Sequence, residues 1–524
     1  MIQAGGWGIN VTTHATMNNK RTLGIVLGIG LLLVLFWQFW EQAHGWNHSL
    51  LGKHAFRQSQ TAVAAANFVE DGFALHPTIP VYGPPWILPL ELPLYQWIHA
   101  GVVRLLSSPL VQSGRGLSIL FHLIGLVQLF RILRLLKVGM PSALFALMVI
   151  LVSPVSVYWS QAVLIQSLAV ALVLSYVLSG LQSLSSHPSR WKLLETVLLG
   201  ALAAMVKITA FSVGWGFLVL HIATKAFIDN QPKKSFPGND VFRTFLLLLI
   251  PIVVGAAWIL YTGVIARTIS LPYAYSLHGW FLGTWRARFD PEQLSVIWKH
   301  CVEWTLGSPL ALVVILFSLL APWPKRVRSW AFLLAAVAGP LVFWNVYFVH
   351  DYYSYEIVFW FGAGIALCFD APELWKTKLR SLGSLACMTI ILSLMIQGYY
   401  RTPYPWFLRH DYRVQEYEYL NAVGESVDRN TFFLVLGDDW NPVTAFCTGR
   451  KTIMMRSDGV ENGIYPLIYE KAVAEGLRCG GLLYFTRGAD TEMLAKVLDQ
   501  FSLKPEPSSS LGEYLLFFPM GNEA

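Results

Sequence analysis

Charge is scarce in this chain. Lys, Arg, Asp and Glu make up 13% of its 524 residues, about half of the ~25% usual in soluble domains. With 55% hydrophobic residues, that shortage excludes a purely soluble enzyme and a disordered chain. Cysteine is scarce as well. Five Cys with no CxxC pair and no zinc-type spacing exclude a disulfide scaffold and supply no metal motif. The strand-like run at 432–437 leads into Gly437-Asp438-Asp439-Trp440-Asn441-Pro442 with no glycine-rich phosphate loop behind it, which argues against nucleotide binding there. Asn441 ahead of Pro442 reads instead as a helix cap. An internal repeat is also missing, and the apolar runs hold almost no ionisable residues at their centres. An ion-coupled transporter would need both.

What is abundant is aromatic and aliphatic. Twenty-one Trp, 21 Tyr and 31 Phe suit a protein that meets lipid headgroups. Eleven apolar runs approach the length needed to cross ~30 Å of hydrocarbon. They lie near 22–40, 116–136, 141–159, 162–183, 193–208, 209–226, 243–263, 304–322, 329–348, 354–370 and 382–399. The 193–226 stretch also reads as one broken hairpin with Lys207 at its tip. The first run is long for a signal peptide and carries bulky residues from Phe36 to Trp40 where a cleavage site would need small ones, so it reads as an uncleaved anchor.

The basic residues fix a sidedness. Lys20 and Arg21 precede the first run. Arg131, Arg134 and Lys137 follow the second, Arg190 and Lys192 the fourth, Lys225, Lys233 and Lys234 the sixth. Lys325, Arg326 and Arg328 follow the eighth, Lys376, Lys378 and Arg380 the tenth. With a cytoplasmic N-terminus every cluster falls on the cytoplasmic side, as the positive-inside rule requires. The net charge of +7 then needs no nucleic acid partner. The expected architecture is an α-helical polytopic membrane protein of about 11 transmembrane helices. Residues 1–21 form a cytoplasmic N-terminus and 22–399 the membrane domain, with a long first outer loop at 41–115. Residues 400–524 form a small extracytoplasmic α/β domain, since strand-like and helix-like runs alternate there. Cys447 and Cys479 lie in this domain and either pair or remain separate buried thiols.

Polar chemistry gathers on the outer side. The first loop holds HAFRQSQTA at 54–62, NFVEDGF at 67–73 and PPWILPLELPLYQW at 84–97. Arg57 and Glu91 sit among apolar residues, where an unpaired charge is costly. Glu70 and Asp71 before Gly72 read as an exposed helix end. Pro93 to Leu106 is too short to cross and reads as an interfacial helix. A second cluster, FVHDYYSYE at 348–356, reads either as part of a site or as an aromatic belt with two solvated acids. A third, HGWFLGTWRARF at 278–289, carries Arg286 and Arg288, which suit a phosphate headgroup or a plain basic surface.

Several of these motifs resemble the GT-C type integral-membrane glycosyltransferases, in particular bacterial relatives of protein O-mannosyltransferases and of the lipid A aminoarabinose transferase. Arg57–Ala62 reads RQSQTA where the family often has RQ-x-D-T-A. Glu91–Tyr95 reads ELPLY, like the family's E-x-P-L-Y. Lys207 matches a lysine near the outer end of the middle hairpin, and His350–Tyr353 an H-x-Y-Y motif. The resemblance spans roughly residues 20–400. It implies transfer of a sugar from a polyprenyl-phosphate carrier to an acceptor hydroxyl of a glycan, lipid or protein at the outer face of a bacterial inner or plasma membrane. It also implies roles. Glu91 is the candidate base. Arg57, Lys207 and His350 are candidate phosphate ligands, with Arg286 and Arg288 as second choices. His54, Gln60, Tyr352 and Tyr353 support the site, and Asp351 orients His350 or holds a divalent metal, which some members of the fold use. The chain departs from the pattern at Gln60, where the family's first-loop acid is expected. Either another carboxylate serves, or the chain binds a lipid-linked sugar, or flips it, without catalysis.

Overall fold

The computed structural model describes residues 11–184, 189–228, 238–269, 277–310, 313, 316, 323–370, 377–487 and 491–520. Lys233, Lys234, Lys376 and most of the apolar run at 304–322 lie outside them.

Long apolar runs become helices because a chain with no water around it must satisfy its backbone internally. In order these are α1 (Val11–His44), α2 (Ala55–Asp71), α3 (Leu94–Leu106), α4 (Leu110–Leu135), α5 (Met140–Val152), α6 (Pro154–Trp159), α7 (Gln166–Ser183), α8 (Arg190–Val206), α9 (Ile208–Ile228) and α10 (Gly238–Thr268). Further helices span Trp323–Val342, Trp344–Val349, Ser354–Cys368 and Lys378–Tyr399. Five segments among the described residues are long and apolar enough to cross a membrane: Leu23–His44, Leu110–Leu135, Gln166–Ser183, Phe242–Thr268 and Leu379–Tyr399. Met140–Val152, Ile208–Thr224 and Val327–Val342 are shorter apolar helices. Leu32, Leu33 and Phe36 of α1 face outward, as they do on a helix that meets lipid.

Two expected runs are interrupted, and the 193–226 stretch breaks at the expected tip. The run at 141–159 divides between α5 and α6 at Ser153-Pro154, where proline supplies no N–H to continue the ladder. The run at 329–348 breaks at Phe343. The run at 193–226 breaks at Lys207, whose backbone is extended (φ −163°, ψ 100°) between α8 and α9. The core holds fully buried Phe145, Trp159, Tyr176, Phe211, Phe217 and Phe332.

The C-terminal part carries a five-stranded sheet of β1 (Thr431–Leu436), β2 (Lys451–Met455), β3 (Arg478–Phe485), β4 (Ser509–Leu511) and β5 (Tyr514–Phe517), in the order β2-β1-β3-β5-β4. β1 runs parallel to β2 and β3, while β5 is antiparallel to both β3 and β4. Every residue of β1 is buried because both faces of this central strand are covered. Helices Tyr465–Ala474 and Thr491–Gln500 fall where expected, and Asn441 Oδ1 accepts from Val443 N (3.2 Å) ahead of helix Val443–Thr448. Cys447 and Cys479 are both free thiols.

The first loop is folded against this sheet. Thr452 N donates to Pro80 O (2.9 Å) and Met454 N to Val81 O (2.8 Å), so residues 80–82 cover the edge of β2. Trp86 Nε1 donates to Glu475 (2.7 Å). Glu70 and Asp71 are exposed at the end of α2, and Arg104 of α3 caps that helix by donating to Val69 O (2.7 Å).

Candidate functional site

The site forms where the first loop crosses the break at Lys207. On α2, Arg57 and Gln60 are three residues apart and share a face, so Arg57 Nη1 donates to Gln60 Oε1 (2.8 Å). The guanidinium lies over the rings of Phe56 (5.2 Å) and Trp440 (5.5 Å). Glu91 sits in a proline-rich segment pinned from two sides. Leu92 N donates to Met205 O at the end of α8 (3.0 Å), and Trp258 Nε1 of α10 donates to Leu90 O (3.2 Å). These anchors set the Glu91 carboxylate facing the break. Lys207 is 4% exposed and pairs with Glu356 (3.1 Å), which is 1% exposed and also accepts from Thr209 Oγ1 (3.1 Å). The Lys207 ammonium stands 3.9 Å from the centre of the Tyr353 ring.

Arg57, Glu91 and Lys207 line one cavity of about 290 Å³. Its remaining wall is largely apolar and aromatic, including Met205, Ile208, Trp258, Ile259, Trp280 and Phe281. Arg57, Leu90, Glu91, Lys207 and Tyr353 also line a smaller pocket of about 40 Å³, whose other walls include Gln60, Thr61, Gln96, Gln166 and Tyr352.

The HDYY segment forms a tight turn, Asp351–Tyr353, between two helices. Asp351 is buried and multiply bonded: to His54 Nε2 (2.7 Å), to Tyr404 OH (2.7 Å) and to Lys53 Nζ (3.5 Å). Burial alone would raise its pKa, but the His54 hydrogen bond and the Lys53 charge outweigh burial and hold it at about 2. Asp351 therefore anchors His54 rather than His350. The His350 ring lies 5.2 Å from that of His54 and 5.0 Å from that of Tyr352. Burial, then the charges of Arg57, His54 and Lys207, press its pKa down to about 2. It is a neutral imidazole that lines neither pocket but lies behind Tyr352, Tyr353 and Trp280, which do, and it is suited to donating a hydrogen bond and not to carrying charge.

Arg286 and Arg288 are not brought to the cavity. Arg286 is exposed. Arg288 donates to the backbone carbonyls of Leu282 and Val342 (both 3.2 Å), closing a helix end. Among the described residues no group of three or more His, Cys, Asp or Glu side chains could hold a metal ion. The site also contains residues that sequence reasoning did not select: Lys53, Thr209, Tyr404 and Trp440. Lys53 adjoins His54, and that adjacency was the available signal. Glu356, read as one of two solvated acids in the belt alternative, is instead the buried partner of Lys207. Thr209 likewise lies two residues from Lys207, whereas Tyr404 and Trp440 arrive from distant segments and carry no local mark.

Apolar helices and a long first loop folded over a helix break, with basic and acidic side chains converging at that break, make up a fold shared with solved GT-C type integral-membrane glycosyltransferases. Among solved structures, the chain is similar to ArnT, the lipid A aminoarabinose transferase, from Cupriavidus metallidurans bound to undecaprenyl phosphate. The TM-score is 0.62 at 11% identity, covering 94% of this chain and 97% of that one. It is also similar to the archaeal oligosaccharyltransferase AglB from Archaeoglobus fulgidus in complex with an inhibitory peptide and a dolichol-phosphate, with a TM-score of 0.56 at 10% identity, covering 89% of this chain and 71% of that one. At such identities the likeness is one of fold. No family model and no curated protein matches the chain.

Proposed function

We propose that this chain is a membrane glycosyltransferase that moves a sugar from a polyprenyl-phosphate carrier to an acceptor hydroxyl at the outer face of the membrane. One observation carries the reading: Glu91, Arg57 and Lys207 meet in a single cavity with a mostly apolar wall. A lipid-borne donor needs that combination, a greasy approach for its tail and cations for its phosphate. In this reading the acceptor oxygen attacks the sugar's anomeric carbon, and its proton passes to the Glu91 carboxylate. The bond from that carbon to the carrier phosphate breaks as the glycosidic bond forms. Arg57 and Lys207 stabilise charge growing on the departing phosphate, and neutral His350 adds a hydrogen bond. Two neighbours in fold were solved with undecaprenyl phosphate and dolichol-phosphate, which supports a carrier of this class.

The membrane arrangement that accompanies this reading is eleven crossings, residues 1–21 in the cytoplasm and 400–524 outside. An epitope after residue 400 found in the cytosol would overturn it. A second reading, a binder or flippase without catalysis, draws on Gln60, whose amide oxygen is held by Arg57 and which cannot take a proton. Purified protein incubated with a panel of polyprenyl-phosphate sugars separates the two. Turnover establishes the enzyme, and carrier binding without transfer establishes the binder. Glu91→Gln is expected to cut kcat/KM by about 10²–10⁴ without lowering the melting temperature. Wild-type rates in that variant would remove Glu91 as the base.

A further inference from the structure

The small pocket beside the main cavity differs from it in chemistry. Its charged residues, Arg57, Glu91 and Lys207, are those it shares with the cavity. Beyond them stand three glutamines from three elements: Gln60 on α2, Gln96 on α3 and Gln166 at the start of α7. Gln60 and Gln166 are 6% and 2% exposed. Each of the three keeps one amide atom unspent. Gln60 Nε2, Gln96 Oε1 and Gln166 Oε1 are buried and have no hydrogen-bond partner among the described residues. Burying an unpaired amide is costly, so three of them around one pocket mark a place built for a polar guest. An amide both donates and accepts, and so does a sugar hydroxyl. The charged residues of this pocket are committed in the glycosyltransferase reading, Glu91 to the acceptor and Arg57 and Lys207 to the carrier phosphate, so a charged substituent on the sugar would find no counter-ion left to it. The pocket's ~40 Å³ corresponds to about three water-sized groups, which is room for the hydroxyl edge of a sugar. The body of the ring would then lie in the larger cavity, among Tyr353, Trp258 and Trp280.

We propose that the pocket of Gln60, Gln96 and Gln166 is the subsite for the transferred sugar, and that this sugar is neutral and hydroxyl-rich rather than an amino sugar or a uronic acid. The proposal rests on the glycosyltransferase reading and adds the substrate class to it. It also gives Gln60 a task. With its Oε1 held by Arg57, its Nε2 is left to donate to a sugar oxygen.

The test is a binding measurement on the full-length protein with three probes: bare undecaprenyl phosphate, the same carrier bearing a neutral hexose, and the carrier bearing an amino sugar. The neutral hexose is expected to bind roughly tenfold or more tighter than the bare carrier, since unpaired buried amides discriminate strongly for hydroxyls. The amino sugar should show no such margin. In Gln166→Met, which keeps the side-chain volume and removes the amide, the ratio of hexose-loaded to bare carrier affinity should fall to about one. Gln96→Met, at a half-buried position, repeats the measurement if Gln166→Met does not fold. A wild-type protein that gains nothing from the neutral hexose, or prefers the amino sugar, overturns the subsite while leaving the glycosyltransferase reading in place. So does a margin that survives both variants. A protein that binds none of the three carriers, the bare one included, overturns both.

Discussion

Lys207 and Asp438 illustrate two ways in which this chain handles a titratable group away from water. Lys207 is buried next to Glu356, Thr209 and the Tyr353 ring. Desolvating such a pair consumes much of its Coulombic gain, so its value lies in holding an ammonium at one point of an apolar wall. Asp438, at the end of β1, has little compensation. Its Oδ1 accepts from Asn441 (3.2 Å), while its Oδ2 is buried without a hydrogen-bond partner among the described residues. Burial pushes its pKa up to about 7, against the opposing Asn441 hydrogen bond and Arg413 charge. A carboxyl raised in the folded state favours folding below its unfolded pKa of ~3.9, and that contribution is lost as pH climbs through about 7. The C-terminal part should therefore lose stability between pH 4 and 8. Asp438→Asn should melt higher than wild type at pH 8, with the gap closing by pH 5. Thermal melts across this range check it, and a constant gap would show that Asp438 does not ionise on folding as described. The structure brings three of the residues selected from sequence, Arg57, Glu91 and Lys207, to one cavity. Arg57 and Glu91 were selected as charges among apolar neighbours and Lys207 through its place at the hairpin tip, whereas Arg286 and Arg288, second choices beside aromatic residues, lie elsewhere. Charge in an apolar stretch marks a special residue without saying where it points.

Among the elements, helices were easier to foresee than their interruptions and their packing. Long apolar runs specify helices because no alternative satisfies the backbone in lipid, and the break at Lys207 was legible, but whether a run continues past Ser153-Pro154 or Phe343 depends on what packs there. Strands β2 and β4 were not anticipated. β4 is three residues long and mostly exposed, so no apolar pattern announces it. β2 gains part of its partnering from residues 80–82 of the first loop, far away in the chain. Helix Lys378–Tyr399 shows how packing is limited by one small residue. A Cβ on Gly398 would overlap the backbone of Gly307, including its carbonyl oxygen. Backbone cannot yield as a side-chain tip does, so Gly398→Ala is expected to destabilise by at least the ~1–3 kcal/mol typical of overpacking. The melting temperature of the purified protein measures it. A change of less than about a degree would mean that the helix slides to accommodate the methyl group.

The molecule as a whole couples the C-terminal sheet to the cavity. Trp440, between β1 and the following helix, packs edge-on against Phe56 (4.4 Å) and stacks on Tyr82 (6.1 Å), and the Arg57 guanidinium lies against it. Residues 80–82 meanwhile pair with β2, a few residues upstream of Glu91. The sheet thus steadies both first-loop residues of the site without lining the cavity. In the enzyme proposed above, Trp440→Ala should raise KM for the donor more than it lowers kcat. The expected factor is about 2–30, corresponding to a cation–π contact of roughly 0.5–2 kcal/mol. Trp440→Phe should recover most of it. Steady-state kinetics separates this from a loss of folded protein, which would lower the measured rate without shifting KM.

Sequence alone determined the apolar helices, the clustering of chemistry in the first loop and the HDYY turn, and a C-terminal unit of strands and helices. Each of these follows from local composition and periodicity, which act over one element at a time. The tertiary structure decided which charges meet. It brought Arg57, Glu91 and Lys207 around one cavity, took Asp351 for His54, gave Lys207 a buried carboxylate and turned three glutamines from three helices toward one pocket. Those outcomes depend on contacts between separate segments of the chain, and no local pattern encodes which distant side chain fills the space across from a given one.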